Sequence, residues 1–185
     1  MFCANCEYTI KQASILNKLR KLWEQHVHWT RSFIISTVES LGDVDEVTKR
    51  LLQNPTDFAD FLEALYGKME MTTFEYLFTQ HLLIAADLVL AAKNKDMVKA
   101  NEAREKWYQN ADDIASFLAE INPHWEFEKW KKLFYHHLQM TEEEATLRLE
   151  RKYAEDVAIY DQIEEEALEM ADYMFEGTIR QFYIC

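Results

Sequence analysis

The sequence predicts an all-α protein, an antiparallel up-and-down helical bundle of ferritin-like or hemerythrin-like appearance, with six or seven helices built on a duplicated helical hairpin. Three observations predict it. Only three Gly and two Pro occur in 185 residues, too few turn formers for the tight connections of a β or α/β fold. Apolar residues recur at three- and four-residue spacing over long stretches. Helix-capping signals stand where those stretches begin and end. With 49 % hydrophobic and 14 % aromatic residues the chain can fill the core of one domain, 1–185, with residues 1–8 and 178–185 expected as mobile ends.

The first helix starts near Ile10 and carries the stripe Leu16, Leu19, Leu22 or Trp23, His26, Thr30, Phe33, Thr37 and Leu41. Leu41-Gly42 reads as its left-handed stop, and Asp43 with Glu46 as the capping box of a short second helix. Asn54-Pro55, with Asp57 in the first turn, then opens a helix that runs to Tyr66 and stops at Gly67. Thr72 with Glu75 reads as the next capping box. That helix shows Phe74, Leu77 or Phe78, His81, Ala85, Leu88 and Ala92 on one face and ends near Asn94, after which Asp96 caps another. Asn122-Pro123 repeats the Asn-Pro start for a helix through Leu138, and Thr141 with Glu144 is read as the cap of a long last helix ending at Gly177.

Overlaying these pieces shows an internal repeat. Leu22-Trp-Glu-Gln-His26 matches Leu77-Phe-Thr-Gln-His81 at a spacing of 55, and Asn54–Leu62 matches Asn110–Leu118 at a spacing of 56, with five of nine positions identical. A fainter third copy begins Leu133-Phe-Tyr-His-His137. By analogy with the Asn54 junction, the helix from Asp96 is expected to break or kink near Asn110.

The formal charge is −13, and Thr141–Glu176 holds thirteen carboxylates against Arg148, Arg151 and Lys152. Such a surface repels phosphate backbones and anionic lipid, so the expectation is no nucleic acid and no membrane as partner, and attraction of a cation or a basic protein instead. The longest nearly apolar stretch, Leu82–Ala92, is interrupted by Asp87 and short for a span. Met1–Ile10 lacks the basic start and apolar core of a secretory signal, and a cytoplasmic location is expected. With Gly42, Gly67 and Gly177 as the only glycines, no phosphate-cradling loop can be written. No His stands three residues after an acidic residue, which removes the Glu-x-x-His spelling of a carboxylate di-iron site. No nucleophile–base pair is recognisable from spacing, so binding ranks ahead of catalysis.

The candidate chemistry lies on the stripes. His26 and His81 share the apolar faces of their helices, so both rings should point inward, where an imidazole needs a hydrogen-bond partner or a metal. The last helix, read with the stripe Leu149, Tyr153, Val157, Tyr160, Glu164, Ala167 or Leu168, Ala171 and Phe175, draws Glu164 inward with Asp161 one turn away. His26, His81, Asp161 and Glu164 together form a candidate site for one divalent transition metal such as zinc, manganese or iron. A core His bonded to a carboxylate explains the same residues without a metal. The competing function is an acidic helical interaction module that docks a basic partner or forms a homodimer. Asn54, Asp57, Asn110 and Asp113 read as helix caps, with a polar pocket as the alternative. His28, His124, His136 and His137 read as surface or edge positions, and Trp23, Trp29, Trp107, Trp125 and Trp130 as core. Cys3-x-x-Cys6 and Cys185 read as reduced thiols near the two ends.

The runs Leu22-Trp-Glu-Gln-His26-Val-His-Trp29-Thr-Arg31, Trp107-Tyr-Gln-Asn110-Ala-Asp112 and Tyr160-Asp161-Gln-Ile-Glu164-Glu-Glu-Ala-Leu168 resemble those of a family of small all-helical bacterial proteins whose members sometimes carry the label acetylglutamate kinase. The resemblance spans nearly the whole chain after the first fifteen residues. It implies the helical fold and no catalytic residues. The kinase label would require an α/β fold with glycine-rich phosphate loops, from which this sequence departs throughout.

Overall fold

The computed structural model describes residues 8–185, which form seven helices: α1 (Ile10–Val38), α2 (Val44–Leu52), α3 (Asn54–Tyr66), α4 (Lys68–Lys93), α5 (Met97–Ile121), α6 (Phe127–Leu149) and α7 (Tyr153–Gln181). The protein is an all-α helical bundle. Cys3 and Cys6 lie outside the described residues, and Cys185 is an exposed free thiol.

The helices pair as three hairpins: α1 with α2–α3, α4 with α5, and α6 with α7. Neighbours pack in a closed ring, α1 on α2 and α3, α3 on α4, α4 on α5, α5 on α6, α6 on α7, and α7 back on α1. Because α1 also touches α4 and α6, the first helices of the three hairpins meet inside the ring. The core there is aromatic, with Trp23, Trp130, Phe58, Phe74, Phe78 and Phe134 all fully buried. Each such side chain contributes roughly 1.5–3 kcal/mol by leaving water.

The third hairpin is a full copy in its backbone, which the diverged sequence hides. Every hairpin turns through one non-glycine residue in the left-handed region, Ser40 (φ 56°), Lys95 (φ 58°) and Arg151 (φ 59°), at spacings of 55 and 56. In each case the next amide reaches back to close the helix end, from Leu41 to the Ser36 carbonyl at 2.9 Å, Asp96 to Ala91 at 3.0 Å, and Lys152 to Leu147 at 2.9 Å. This is the double-bonded C-terminal cap that satisfies the last helical carbonyls. Ser40, rather than Gly42, therefore stops α1.

Several expected boundaries move for related reasons. The Thr72–Glu75 box does not open α4, which starts at Lys68 directly after Gly67 (φ 91°); Thr72 instead bonds back to the Lys68 carbonyl. Thr141 and Glu144 do not cap the last helix. They are buried in the middle of α6, and the helix stop comes at Arg151. No break occurs near Asn110, because α5 runs unbroken from Met97 to Ile121. Pro55 removes an amide at the α2–α3 junction, whereas its repeat mate Ala111 keeps one. Asn122 does not start α6 directly; its side chain holds the His124 amide at 2.9 Å, and the helix begins at Phe127. At the far end α7 continues past Gly177 to Gln181. Residues 178–185, expected as a mobile end, include the fully buried Thr178, and Gln12 Nε2 donates to the Ile184 carbonyl at 2.8 Å.

By length and composition alone α4 would pass for a membrane span, but Met71, Phe74, Phe78, His81 and Leu82 on it are buried in the bundle. The outer face of α7 exposes Glu155, Asp161, Glu164, Glu165 and Glu169.

Candidate metal centre

Each hairpin sends one histidine inward from its first helix: His26 from α1, His81 from α4 and His137 from α6, all 1 % exposed. One potential ligand atom from each ring lies within 4.8 Å of the other two. Ring centroids are 6.2 Å apart for His26–His81, 5.5 Å for His26–His137 and 6.5 Å for His81–His137. The surroundings are aromatic. Phe78 stacks on His26 at 4.8 Å and on His81 at 5.9 Å, and Trp107 sits 5.3 Å from His81.

The second helix of each hairpin holds the ring from behind. Asn54 Oδ1 is 3.2 Å from His26 Nδ1, and Asn110 Oδ1 is 3.0 Å from His81 Nδ1. Each Asn also donates Nδ2 to the main-chain carbonyl one turn before its His, Asn54 to Leu22 at 3.0 Å and Asn110 to Leu77 at 3.1 Å. These carbonyls can only accept, so the amide nitrogens must face them and the amide oxygens must face the rings. An oxygen facing Nδ1 fixes the proton there, which leaves Nε2 as an unprotonated lone pair. In the third hairpin Glu166 stands in the Asn register, with Oε2 3.3 Å from His137 Nδ1. The separations along the chain are 28, 29 and 29 residues. That contact is an approach without hydrogen-bond geometry, since His137 Nδ1 has no hydrogen-bond partner among the described residues, so the tautomer is fixed at His26 and His81 only.

Burial and mutual repulsion keep the His26 and His81 rings neutral. Burial, then repulsion from His137 and His81, holds His26 well below the ordinary histidine value. Burial and the His137 ring bring His81 down to about 3, against the opposing Asn110 bond. Glu166 is 6 % exposed, and neither of its oxygens makes a hydrogen bond among the described residues. A buried carboxylate with only an imidazole beside it is costly unless positive charge reaches it through that ring.

Two of the sequence-derived ligands are thus brought together and two are not. His26 and His81 meet as expected. Asp161 and Glu164 are exposed on α7, and the third member is His137, which had been read as a surface position. The cause is the phase of α7. Its buried face runs through Asp156, Ile159, Ile163, Glu166, Ala167, Met170, Ala171, Met174 and Phe175, so Ala167, Ala171 and Phe175 of the expected stripe are buried, whereas Tyr153 and Val157 at its start are 44 % and 56 % exposed. Adding 56 to Asn110 would have reached Glu166, and adding 56 to His81 would have reached His137. Asn54 and Asn110 line the site rather than cap helices, while Asp57 and Asp113 bond nearby Gln side chains toward the outside. His28, His124 and His136 are exposed as expected. Four of the five tryptophans are buried, and Trp29 is half-buried.

Comparisons with protein-family models, with curated proteins and with solved structures give no match. The functional reading therefore stands on the geometry. Three buried imidazoles, two of them held by an Asn oxygen and one beside a carboxylate, each bring a nitrogen within 4.8 Å of the other two and could hold one metal ion. The ligand nitrogens of a tetrahedral ion stand about 3.4 Å apart, inside the 4.8 Å limit that the three rings already meet.

Proposed function

We propose that the protein binds one divalent transition metal through Nε2 of His26, His81 and His137. The observation that carries this reading is that three buried histidines, one from each hairpin, bring a ring nitrogen within 4.8 Å of one another, two of them with Nδ1 held by an Asn oxygen and the third with a carboxylate oxygen 3.3 Å from Nδ1. A histidine serving only the core would use both ring nitrogens in hydrogen bonds, whereas in His26 and His81 the outer acceptor leaves Nε2 as a free lone pair, which is unfavourable in an apolar core without a cation. Imidazole ligands without a carboxylate suit zinc or iron better than manganese. Three protein ligands leave a coordination position open, as in sites where a metal activates water or polarises a carbonyl. Glu166 behind His137 matches the carboxylate–histidine–metal arrangement that raises ligand basicity.

The test is metal analysis of untagged protein, followed by thermal melting with added zinc or iron. Zinc at 100 times its dissociation constant stabilises the fold by about 2.7 kcal/mol. His26→Ala, His81→Ala and His137→Ala should each abolish that shift while circular dichroism still shows a helical protein, and Asp161→Ala with Glu164→Ala should leave it intact. Substoichiometric metal and an unchanged melt would sink the proposal. The histidines would then be structural, and the exposed acidic face of α7 would favour the docking module, which predicts salt-sensitive capture of a basic partner.

A further inference from the structure

One helical turn from the histidines, toward the hairpin turns, lies a cavity of about 290 Å³ between α1, α4, α5 and α6. We infer that it is a binding site for a compact, mostly apolar molecule carrying one neutral acceptor oxygen, as in a ketone, aldehyde or ester. This goes beyond the metal reading and does not require it.

The size is roughly twice that of an engineered 150 Å³ cavity that holds benzene, which allows about a dozen non-hydrogen atoms. Its walls are predominantly apolar, with Phe33, Ile34, Leu82, Leu88, Val89 and Ala145 among them. Two of its lining residues carry buried polar atoms with no partner. Thr141 is 4 % exposed and Trp107 is 2 % exposed, and neither Thr141 Oγ1 nor Trp107 Nε1 makes a hydrogen bond among the described residues.

The repeat shows that the free Thr141 hydroxyl is not inherent in its position. Thr30, Ala85 and Thr141 each follow their histidine by four residues. Thr30 satisfies its hydroxyl on the His26 carbonyl at 2.8 Å, whereas Thr141 leaves its hydroxyl available on the cavity side of α6. Indole nitrogen only donates and a hydroxyl can donate, so the matching group on a ligand is an acceptor oxygen. Charge argues for a neutral one. Arg104, the cationic lining residue, is engaged by Glu142, and a carboxylate would enter a protein of net charge −13 without a counter-ion. Trp107 touches both the cavity and the His81 ring, which sets an occupant of this cavity beside the metal centre.

The experiment compares acetophenone with α-methylstyrene, its near-isostere without the oxygen, by proton–nitrogen NMR on the full chain stripped of metal by chelator. Acetophenone should bind and move the Trp107 indole N–H signal, identified by its absence in Trp107→Phe, and α-methylstyrene should bind at least 5-fold more weakly. Thr141→Val should weaken acetophenone about 5-fold, the effect of one lost hydrogen bond, and leave α-methylstyrene unchanged. Ala145→Phe, which fills the space, should block both. Equal binding of the two probes, or binding of neither, would overturn the assignment. Because the sample is free of metal, neither result depends on whether the histidines bind an ion.

Discussion

Glu166 Oε2 lies 3.3 Å from His137 Nδ1, in the register where Asn54 and Asn110 stand behind the other two rings. The near-threefold site therefore has one imidazole backed by a carboxyl group from α7 and two backed by amides from α3 and α5.

Replacing that carboxyl group separates metal affinity from stability. Glu166→Gln keeps an acceptor near Nδ1 and removes the buried carboxyl group, so zinc affinity should fall about 10–100-fold while the metal-free protein melts no lower than the parent. Asn110→Ala should behave differently. It leaves the buried His81 Nδ1 without its partner and releases the His81 tautomer, so it should lower both zinc affinity and metal-free stability, the latter by about 1–3 kcal/mol. Chelator competition and urea unfolding, run on both variants, distinguish the two patterns.

Much of the fold was legible because helical periodicity and scarce glycine leave few alternatives. The inward positions of His26 and His81 followed from their stripes. What misled was local chemistry that tertiary structure overrides. Thr-x-x-Glu reads as a cap wherever it occurs, yet Thr141 and Glu144 lie inside α6 because Arg151 supplies the stop. The α7 stripe failed because Tyr153 and Val157 are apolar and exposed, while the buried face includes Asp156 and Glu166 and so looks polar. His137 was hidden by His136 beside it, since periodicity could not tell which one turned inward.

Gly177 was another misread signal, and it yields a stability prediction. It is not a helix stop. A Cβ there would stand 2.0 Å from Trp125 Nε1, the atom that donates to the Tyr173 carbonyl at 3.3 Å. The glycine lets the indole rest against the α7 backbone. Gly177→Ala should displace that ring and cost about 1–3 kcal/mol by overpacking, despite the better helix propensity of alanine. A higher melting temperature than the parent would show that the contact has no such role.

The histidines set the acid limit of the metal-free protein. His26 and His81 are depressed below the ordinary value near 6.5, His81 to about 3. Stability from such groups is present above 6.5 and is lost as pH falls toward the folded value, because the unfolded chain takes up protons that the buried rings refuse. Chelated protein should therefore lose stability steadily from pH 6.5 downward. His81→Gln should flatten that slope, as measured by urea midpoints at successive pH values. His26 and His81 should add little to the pH dependence of zinc affinity above pH 6.5, since both are already neutral there.

Glu144 has the opposite sign. It is 1 % exposed and paired with Arg31, which also donates to Asp156 Oδ1 at 2.7 Å, while Arg148 reaches Asp156 Oδ2 at 3.2 Å. Burial pushes the Glu144 carboxyl up to about 7 in spite of the Arg31 attraction. A raised carboxyl favours the folded state fully below its unfolded value near 4.5, and that contribution disappears as pH rises through 7, a change on the order of 3 kcal/mol. Between pH 4.5 and 6.5 Glu144 therefore offsets part of the slope from the two histidines, and the parent should lose stability there less steeply than the histidines alone would dictate. Glu144→Gln removes only the second contribution. The variant should show the histidine slope undiminished across that window and a flatter curve between pH 6.5 and 7.5 than the parent. Parallel curves for the two proteins would mean that Arg31 keeps Glu144 ionised throughout.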